Sequence, residues 1–136
     1  MSSFAKGPAT MGADIVVRVV STYLPQESDL SDPGDLKYVF AYHIEIENRG
    51  ARTVQLLSRH WWITDAHDSI REVEGEGVVG QQPIIAPGQA FSYASWCVIS
   101  TSWGRMRGTY TLLAAGGETI ELPIPQFNLT TSGPPN

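Results

Sequence analysis

The segment KYVFAYHIEIEN, residues 37–48, decides the fold. Its apolar and aromatic side chains occupy alternate positions, and polar side chains lie between the later ones. Successive side chains of a β-strand point to opposite faces, so this alternation predicts a strand with one buried and one solvated face. The predicted buried face comprises Tyr38, Phe40, Tyr42, Ile44 and Ile46, and the opposite face carries His43, Glu45 and Glu47.

Similar short segments follow on both sides, separated by clusters of Gly, Pro, Asn and Asp at intervals of about ten residues. The sequence therefore predicts an all-β fold, a fibronectin type III or immunoglobulin-like two-sheet β-sandwich of seven to eight strands. A small barrel is the alternative. We expect one domain over residues 15–129, with flexible segments at 1–14 and 130–136. Pro123 and Pro125 are expected to end the ladder of the last hairpin.

Charge and cysteine content exclude several classes of protein. The chain has 136 residues, nine basic and fourteen acidic side chains and a net charge of -5. It lacks the basic surface that nucleic-acid binding requires, and no apolar run is long enough for a signal peptide or a membrane span. Cys97 is the single cysteine. A protein of the reducing cytoplasm, without membrane insertion, is predicted.

The motif Gly75-Glu76-Gly77-Val78-Val79-Gly80 has the GxGxxG pattern of nucleotide-binding loops. In those loops a helix follows the glycines and directs its free amides at the phosphates. Here Pro83 and Pro87 follow, which argues against a helix. The glycines of residues 75–80 are therefore expected to form a tight or bulged connection. The alternative is a small nest of amides that, with a nearby arginine, binds a phosphate or nucleotide.

The chain resembles the ApaG family from about Val16 to Leu129. The resemblance rests on a series of short motifs in the same order and spacing. These are Arg59-His60-Trp61, Ile63-Thr64-Asp65, Glu72-Val73, the glycine motif with Gln82-Pro83, Pro87-Gly88, Phe91-x-Tyr93, Gly104-x-Met106-x-Gly108-x-Tyr110 and Ile124-Pro125. Two positions depart from the family pattern, since Asp68 and Trp96 stand where glycine is usual. Asp tolerates a left-handed turn, whereas Trp cannot reproduce the backbone freedom of glycine.

The resemblance implies a fibronectin type III-like sandwich in a bacterial cytoplasmic protein. The family is linked to cobalt and magnesium resistance or efflux, and similar domains of eukaryotic proteins act in protein interactions. Because the chain has no membrane-spanning segment, it could assist efflux but could not itself be the channel.

Catalytic and metal sites find little support in the sequence. His43, His60 and His67 lie on separate segments, and "DAHD" (65–68) is expected to be a turn capped by an Asp side chain. We therefore predict no catalytic residues, no metal and no cofactor. Trp61 and Trp62 must face opposite sides of their strand. The predicted contact surface comprises Arg59, Trp61, Trp62, Gly75, Gly77, Gly80 and Trp96.

These features favour a non-enzymatic binding or regulatory module with an unknown protein partner. A phosphate site at the Gly75–Gly80 loop and an accessory role in cobalt or magnesium resistance are the alternatives. A homodimer through an unpaired edge strand also fits the sequence.

Overall fold

The computed structural model describes residues 9–12 and 14–131. The prediction of flexible segments at 1–14 and 130–136 falls largely outside the described residues. Residues 1–8, 13 and 132–136 are not described. Within the domain expected over 15–129, the second strand begins at Ile15 and the last ends at Thr130. A further strand precedes them at Ala9–Gly12.

The described chain contains nine strands and one three-residue 3-10 helix, Pro25–Glu27. No helix in this part of the chain is long and apolar enough to cross a membrane. Eight strands have four or more residues, and β6 has two. The strands are β1 Ala9–Gly12, β2 Ile15–Tyr23, β3 Tyr38–Asn48, β4 Val54–Asp65, β5 Ile70–Glu76, β6 Ile84–Ile85, β7 Ala90–Ile99, β8 Trp103–Ala114 and β9 Thr119–Thr130.

The strands form two antiparallel sheets, which confirms the predicted sandwich. One sheet has the order β1-β2-β3-β7. The other has the order β5-β4-β8-β9, with β6 paired to one end of β4. Among the described strands, β7 pairs only with β3 and β5 pairs only with β4. Both are therefore edge strands, and a hydrogen bond from Arg71 of β5 to Val98 of β7 shows that the two edges lie on the same side of the sandwich.

The predicted alternation in residues 37–48 matches the buried face of β3. Phe40, Ile44 and Ile46 are fully buried, and His43 is exposed on the other face. The facing sheet contributes side chains such as Tyr110 and Leu122 to the same core. This interdigitation of two apolar inner faces is the main source of stability in a β-sandwich.

Asn48 connects the end of β3 to two neighbouring segments. Its buried side-chain amide donates hydrogen bonds to the carbonyl oxygens of Arg52 and Ile85, at 2.8 and 2.9 Å. Its side-chain oxygen accepts from the amide of Gly50 at 2.9 Å. Asn48 thus closes the turn that follows β3 and also holds β6 against the end of that strand.

The prediction that Pro123 and Pro125 end the last ladder is wrong. β9 continues to Thr130 and pairs with β8 on both sides of the prolines. Pro123 lies opposite Thr109, and the register then shifts between Met106 and Gly108, so that Pro125 falls in a bulge. β9 is an edge strand, where a residue without an N–H group is tolerated.

Candidate binding cleft

A cleft of about 840 Å³ lies between the open edges of β5 and β7. Tyr93, Ser95 and Cys97 line it from the β7 side, and Val73 lines it from the β5 side. Trp61 lies at its inner end. The two sheets of the sandwich therefore enclose a groove where neither edge has a paired neighbour.

Arg59 enters this cleft because of a β-bulge. The register of β4 against β8 shifts between Leu56 and Ser58. The extra residue moves the following odd-numbered side chains to the inner face. Arg59 thus shares a face with Trp61 and Ile63 and lines the cleft.

The first glycine of the GxGxxG motif makes room for this arginine. Gly75 is the cross-strand partner of Arg59. A Cβ atom at position 75 would lie 2.6 Å from Nη1 of Arg59, so the guanidinium could not keep its position beside any other residue type. From there Nη1 donates hydrogen bonds to the carbonyl oxygens of Glu76 and Gly77, at 3.1 and 3.0 Å.

The remaining glycines of the motif form a tight turn, as expected. Val78 and Gln81 exchange two backbone hydrogen bonds of 2.8 and 2.9 Å. Between them, Val79 has φ 43° and Gly80 has φ 79°. Positive φ at both central positions is the mark of a type I′ turn. Gly77 has φ 65°, and a Cβ atom there would clash with the carbonyl oxygen of Gln81.

Two amides of this loop are engaged within the protein. The Gly77 amide donates to the carbonyl oxygen of Leu57 at 2.8 Å, and the Val78 amide donates to Gln81. No helix follows the motif in the described chain, because β6 comes next and pairs with β4. The arrangement differs from a dinucleotide-binding loop in both respects.

Val79 combines an unfavourable backbone with an exposed apolar side chain. A β-branched residue is rarely found at positive φ. Its side chain is 51% exposed and lines the cleft beside Gly80. Strain of this kind persists only where the surrounding structure enforces it, and it is concentrated at functional sites.

Two arginines in the cleft lack carboxylate partners in the described structure. Nη2 of Arg71 donates to the carbonyl oxygen of Val98, across the cleft, at 3.0 Å. Arg59 likewise contacts only carbonyl oxygens. Five of the eight described basic side chains form ion pairs with carboxylates: Arg18, Lys37, Arg49, Arg52 and Arg105. The cleft therefore holds two arginine side chains that form no ion pair within the described structure.

The buried tyrosine hydroxyls and the cysteine thiol in and behind the cleft wall remain uncharged at neutral pH. The hydroxyls of Tyr93 and Tyr110 share a hydrogen bond of 2.5 Å. Burial raises the pKa of both tyrosines well above the ordinary value. Burial also raises the pKa of the Cys97 thiol to about 12. Cys97 is thus a thiol rather than a thiolate, and only the thiolate is an effective nucleophile.

The two adjacent tryptophans of β4 face opposite sides, as predicted. Trp61 is only 2% exposed and packs edge-on against Tyr42 and Phe127, with ring centroids 5.5 and 5.9 Å apart. Trp62 lies on the outer face, stacked on His60 at 3.8 Å. The Arg107 guanidinium lies 4.7 Å from its ring centroid on the same sheet. Trp61 is therefore buried, whereas Trp62 is half-buried.

Trp96 is the most exposed aromatic side chain of the described residues, at 66%. It lies on the outer face of β7, opposite Ala41 of β3. Val98, two residues further along the same face, is 38% exposed. Trp96 occupies a regular strand position, so the usual glycine is not required by the backbone here. Asp68 does adopt the left-handed conformation, with φ 63°, as expected.

The structure groups one histidine with two carboxylates. Nε2 of His60 lies 2.9 Å from Glu72, and Nδ1 lies 3.2 Å from Glu74. One potential ligand atom from each of the three residues lies within 4.8 Å of the others. His43 and His67 lie elsewhere, and the Asp65 side chain accepts hydrogen bonds from the amides of the expected turn, including that of His67.

Sequence reasoning found most of the residues near the cleft but missed its architecture. Arg59 and the glycines of residues 75–80 meet as one unit. Trp96 lies on the outer face beside the cleft, and Trp62 lies on the outer face of the other sheet. Arg71 was not anticipated, because its role depends on the gap between two strand edges. The only signal was its place next to the Glu72-Val73 motif.

Fold and cleft together define a two-sheet domain of the fibronectin type III kind. Residues 28–114 match the family described as the ApaG domain. Protein ApaG of Bordetella pertussis is 47% identical over 116 residues, which cover 85% of this chain and 86% of that protein. Protein ApaG of Ralstonia nicotianae is also 47% identical over 116 residues, covering 85% and 91%. The chain belongs to the ApaG family.

Solved structures agree with this assignment. A crystal structure of an ApaA protein from Bordetella pertussis has a TM-score of 0.80 at 44% identity and covers 91% of this chain and 95% of that chain. An X-ray structure of a structural-genomics target has a TM-score of 0.83 at 42% identity, with coverage of 88% and 89%.

Proposed function

We propose that this ApaG-family chain is a non-enzymatic binding or regulatory module of the cytoplasm that contacts a protein partner at the open edge of β7. The observation that carries the proposal is Trp96, an exposed tryptophan on an edge strand. Large exposed aromatic side chains dominate the binding energy of protein interfaces. Edge strands present unpaired backbone groups that another chain can pair with.

Apolar and charged side chains next to Trp96 extend the proposed partner surface. Val98 extends the apolar surface of Trp96 along β7. Around the edge of the strand, the cleft adds the exposed Val79 and the charges of Arg59 and Arg71. Arginine, like tryptophan, is enriched at interface hot spots.

The chemistry of the cleft supports a binding role over a catalytic one. Cys97 is protonated at neutral pH because its pKa is raised to about 12. Tyr93 and Tyr110 bond to each other, and burial disfavours their anionic forms. A hydrolase that forms a covalent intermediate would need an activated nucleophile beside a base.

Site-specific photo-cross-linking in the host cells tests the proposal. A photoreactive amino acid at position 79 or 92 lies beside the β7 edge, and one at position 121 lies on the opposite sheet as a control. We expect one discrete adduct from positions 79 and 92 and none from 121. The captured protein, once purified, should bind the wild-type chain and lose at least tenfold in affinity with Trp96→Ser. No adduct, or an equal adduct from position 121, would refute the proposal.

A homodimer is the other occupant that the β7 edge could take. An adduct between two copies of the chain in the same experiment would identify it. In that case the module would act on itself, and sedimentation equilibrium should show a dimer that Trp96→Ser dissociates.

A second candidate function, an accessory of cobalt or magnesium resistance, is favoured by the group of His60, Glu72 and Glu74. Imidazole and carboxylate ligands suit cobalt, whereas magnesium prefers oxygen ligands. Calorimetric titration with Co²⁺ and Mg²⁺ tests it. Saturable Co²⁺ binding that is lost in His60→Gln would favour this candidate, and an absence of binding by the wild-type chain would remove it.

A further inference from the structure

We propose that the cleft binds an extended acidic segment of the partner protein, which pairs with the free edge of β7 and places two carboxylates, four residues apart, on Arg59 and Arg71. The inference rests on the proposed function, because it names the part of the partner that the module recognises.

The backbone of β7 is oriented for strand addition. Arg71 reaches the carbonyl oxygen of Val98 from the β5 side, so the backbone groups of Val98 point into the cleft. Along a strand these groups alternate between the two edges. The N–H and C=O groups of Ser92, Ala94 and Trp96 therefore also face the cleft. Strand addition at such an edge is a common mode of peptide recognition.

The charge of the cleft selects an acidic segment. Neither Arg59 nor Arg71 meets a carboxylate in the described structure, and both donate only to backbone carbonyl oxygens. Each guanidinium has five N–H donors and binds carboxylates in a bidentate manner. Lys37 also lines the cleft but is paired with Asp35. The two free guanidinium charges are thus available to an acidic ligand.

The spacing of the two arginines follows from the β4–β5 register. Arg59 lies opposite Gly75, and Arg71 lies opposite Ile63, so the two positions are four residues apart along the strands. Four residues of extended chain span about 13 Å. In a bound strand, residues four apart point to the same side. Two acidic residues at this spacing can therefore face both arginines at once.

The rim of the cleft restricts where the carboxylates can lie. Glu27 and Glu76 line the cleft and are exposed. Their charges repel a third acidic residue near either end of the groove. Between them the walls are formed by Val73, Cys97 and Tyr93. The segment should consequently carry apolar or small residues between its two acidic ones.

A set of nine-residue peptides of alternating valine and threonine tests the inference. The probe has glutamates at its third and seventh positions, and a control of the same length and charge has them at the third and sixth. A second control has glutamines in place of both glutamates. We expect the probe to bind at least tenfold more tightly than either control and to shift the amide resonances of Ser92, Ala94 and Trp96. Equal affinities, or shifts confined to another surface, would overturn the inference.

Charge reversal at Arg71 provides a readout that a purely structural role would not give. Arg71→Glu should weaken binding of the probe at least tenfold. Two further peptides carry lysine in place of one glutamate, either at the third or at the seventh position. The Arg71→Glu variant should bind one of these two peptides again. The position of the lysine in that peptide shows which end of the segment faces residue 71 and therefore the direction of the bound strand. Arg59→Lys keeps the charge beside the glycine loop and should lose less affinity than Arg71→Glu. Failure of both lysine peptides to bind, in a variant with wild-type melting temperature, would contradict the proposed pairing.

The two proposals fail in distinguishable ways. An absence of cross-linked partner from positions 79 and 92 would remove the proposed function and this inference together. A captured partner whose contact segment carries no such pair of acidic residues, together with peptides that show no preference for spacing, would remove only this inference. A dimer that buries the β7 edge and excludes the probe would also overturn it.

Discussion

The guanidinium of Arg59 lies over Gly75, its partner across the β4–β5 ladder, where a Cβ atom would come within 2.6 Å of Nη1. This contact explains the first glycine of the GxGxxG motif without a nucleotide. The absence of a side chain at Gly75 leaves space for the Arg59 guanidinium. The guanidinium in turn donates hydrogen bonds to two carbonyl oxygens of the loop. The motif and the arginine are therefore one structural unit.

The coupling of Arg59 and Gly75 can be measured with a double-mutant cycle. Gly75→Ala should lower the free energy of unfolding by about 1–3 kcal/mol, because it displaces the guanidinium from two loop carbonyls. In an Arg59→Ala background the same change should cost much less. Urea denaturation of the four proteins gives the coupling energy. Gly104→Ala is the control, since a Cβ atom there would meet the Thr64 carbonyl oxygen, away from Arg59, and should cost the same in both backgrounds. Additive effects of the first pair would refute the coupling.

Val79 is expected to reduce the stability of the free protein. Val79→Asn should raise the free energy of unfolding by about 1 kcal/mol, because asparagine followed by glycine is the preferred pair of a type I′ turn. The measurement is the urea midpoint at constant m-value. The same variant should bind the photo-cross-linked partner less well, since it replaces an apolar side chain at the rim of the cleft. A destabilised Val79→Asn protein would show that the strain assignment is wrong.

Burial of Cys97 should make stability depend on alkaline pH. The pKa of its thiol rises from 9.0 to about 12 on folding. Between these values the unfolded chain has lost the proton and the folded chain retains it, so the free energy of unfolding falls as pH rises. One such group contributes about 1.4 kcal/mol per pH unit, and tyrosines join it above about pH 10. Below pH 9 the contribution is fully present.

Cys97→Ala isolates this effect. Urea unfolding of the wild type and the variant between pH 8.5 and 10 should give a shallower decline for the variant, by a difference that approaches one proton near pH 10. The variant will be less stable at every pH because of the cavity, so the slope rather than the absolute value is compared. Equal slopes would mean that the thiol is accessible to water in the folded state.

The glycine loop should not respond to nucleotides. The Gly77 and Val78 amides already donate within the protein, and in the described chain no helix follows them to direct further amides at a phosphate. A two-dimensional amide NMR titration with ATP should therefore leave Gly75, Gly77 and Gly80 unshifted. Sodium chloride at matched ionic strength serves as the control for non-specific anion effects. Saturable shifts at these glycines would restore the phosphate-site alternative.

The sequence was sufficient for the fold because alternation is a local property. Tyr38 to Ile46 define a buried face on their own, and a two-sheet sandwich follows from several such strands. The cleft was not predictable to the same degree. Arg59 reaches the inner face only because a bulge at β4 changes the register, and bulges leave little trace in residue patterns. The prediction that Pro123 and Pro125 end the last ladder failed for a related reason. The effect of a proline on a ladder depends on whether its strand lies at the edge of the sheet, and the residue pattern does not show this.

A substitution at Trp96 should affect binding to the partner without affecting the stability of the fold. Trp96→Ser should change the free energy of unfolding by no more than about 0.5 kcal/mol, because substitutions at exposed positions seldom exceed this value. Trp61→Phe is the matched control, since it removes part of a buried ring and should cost about 1–3 kcal/mol. Urea unfolding and partner affinity are measured on both variants. We expect Trp96→Ser to retain stability and lose binding, whereas Trp61→Phe, while still folded, should lose stability and keep most of its binding. A strongly destabilised Trp96→Ser would instead assign the tryptophan to the packing of the sheet and remove the main support for a partner surface on β7.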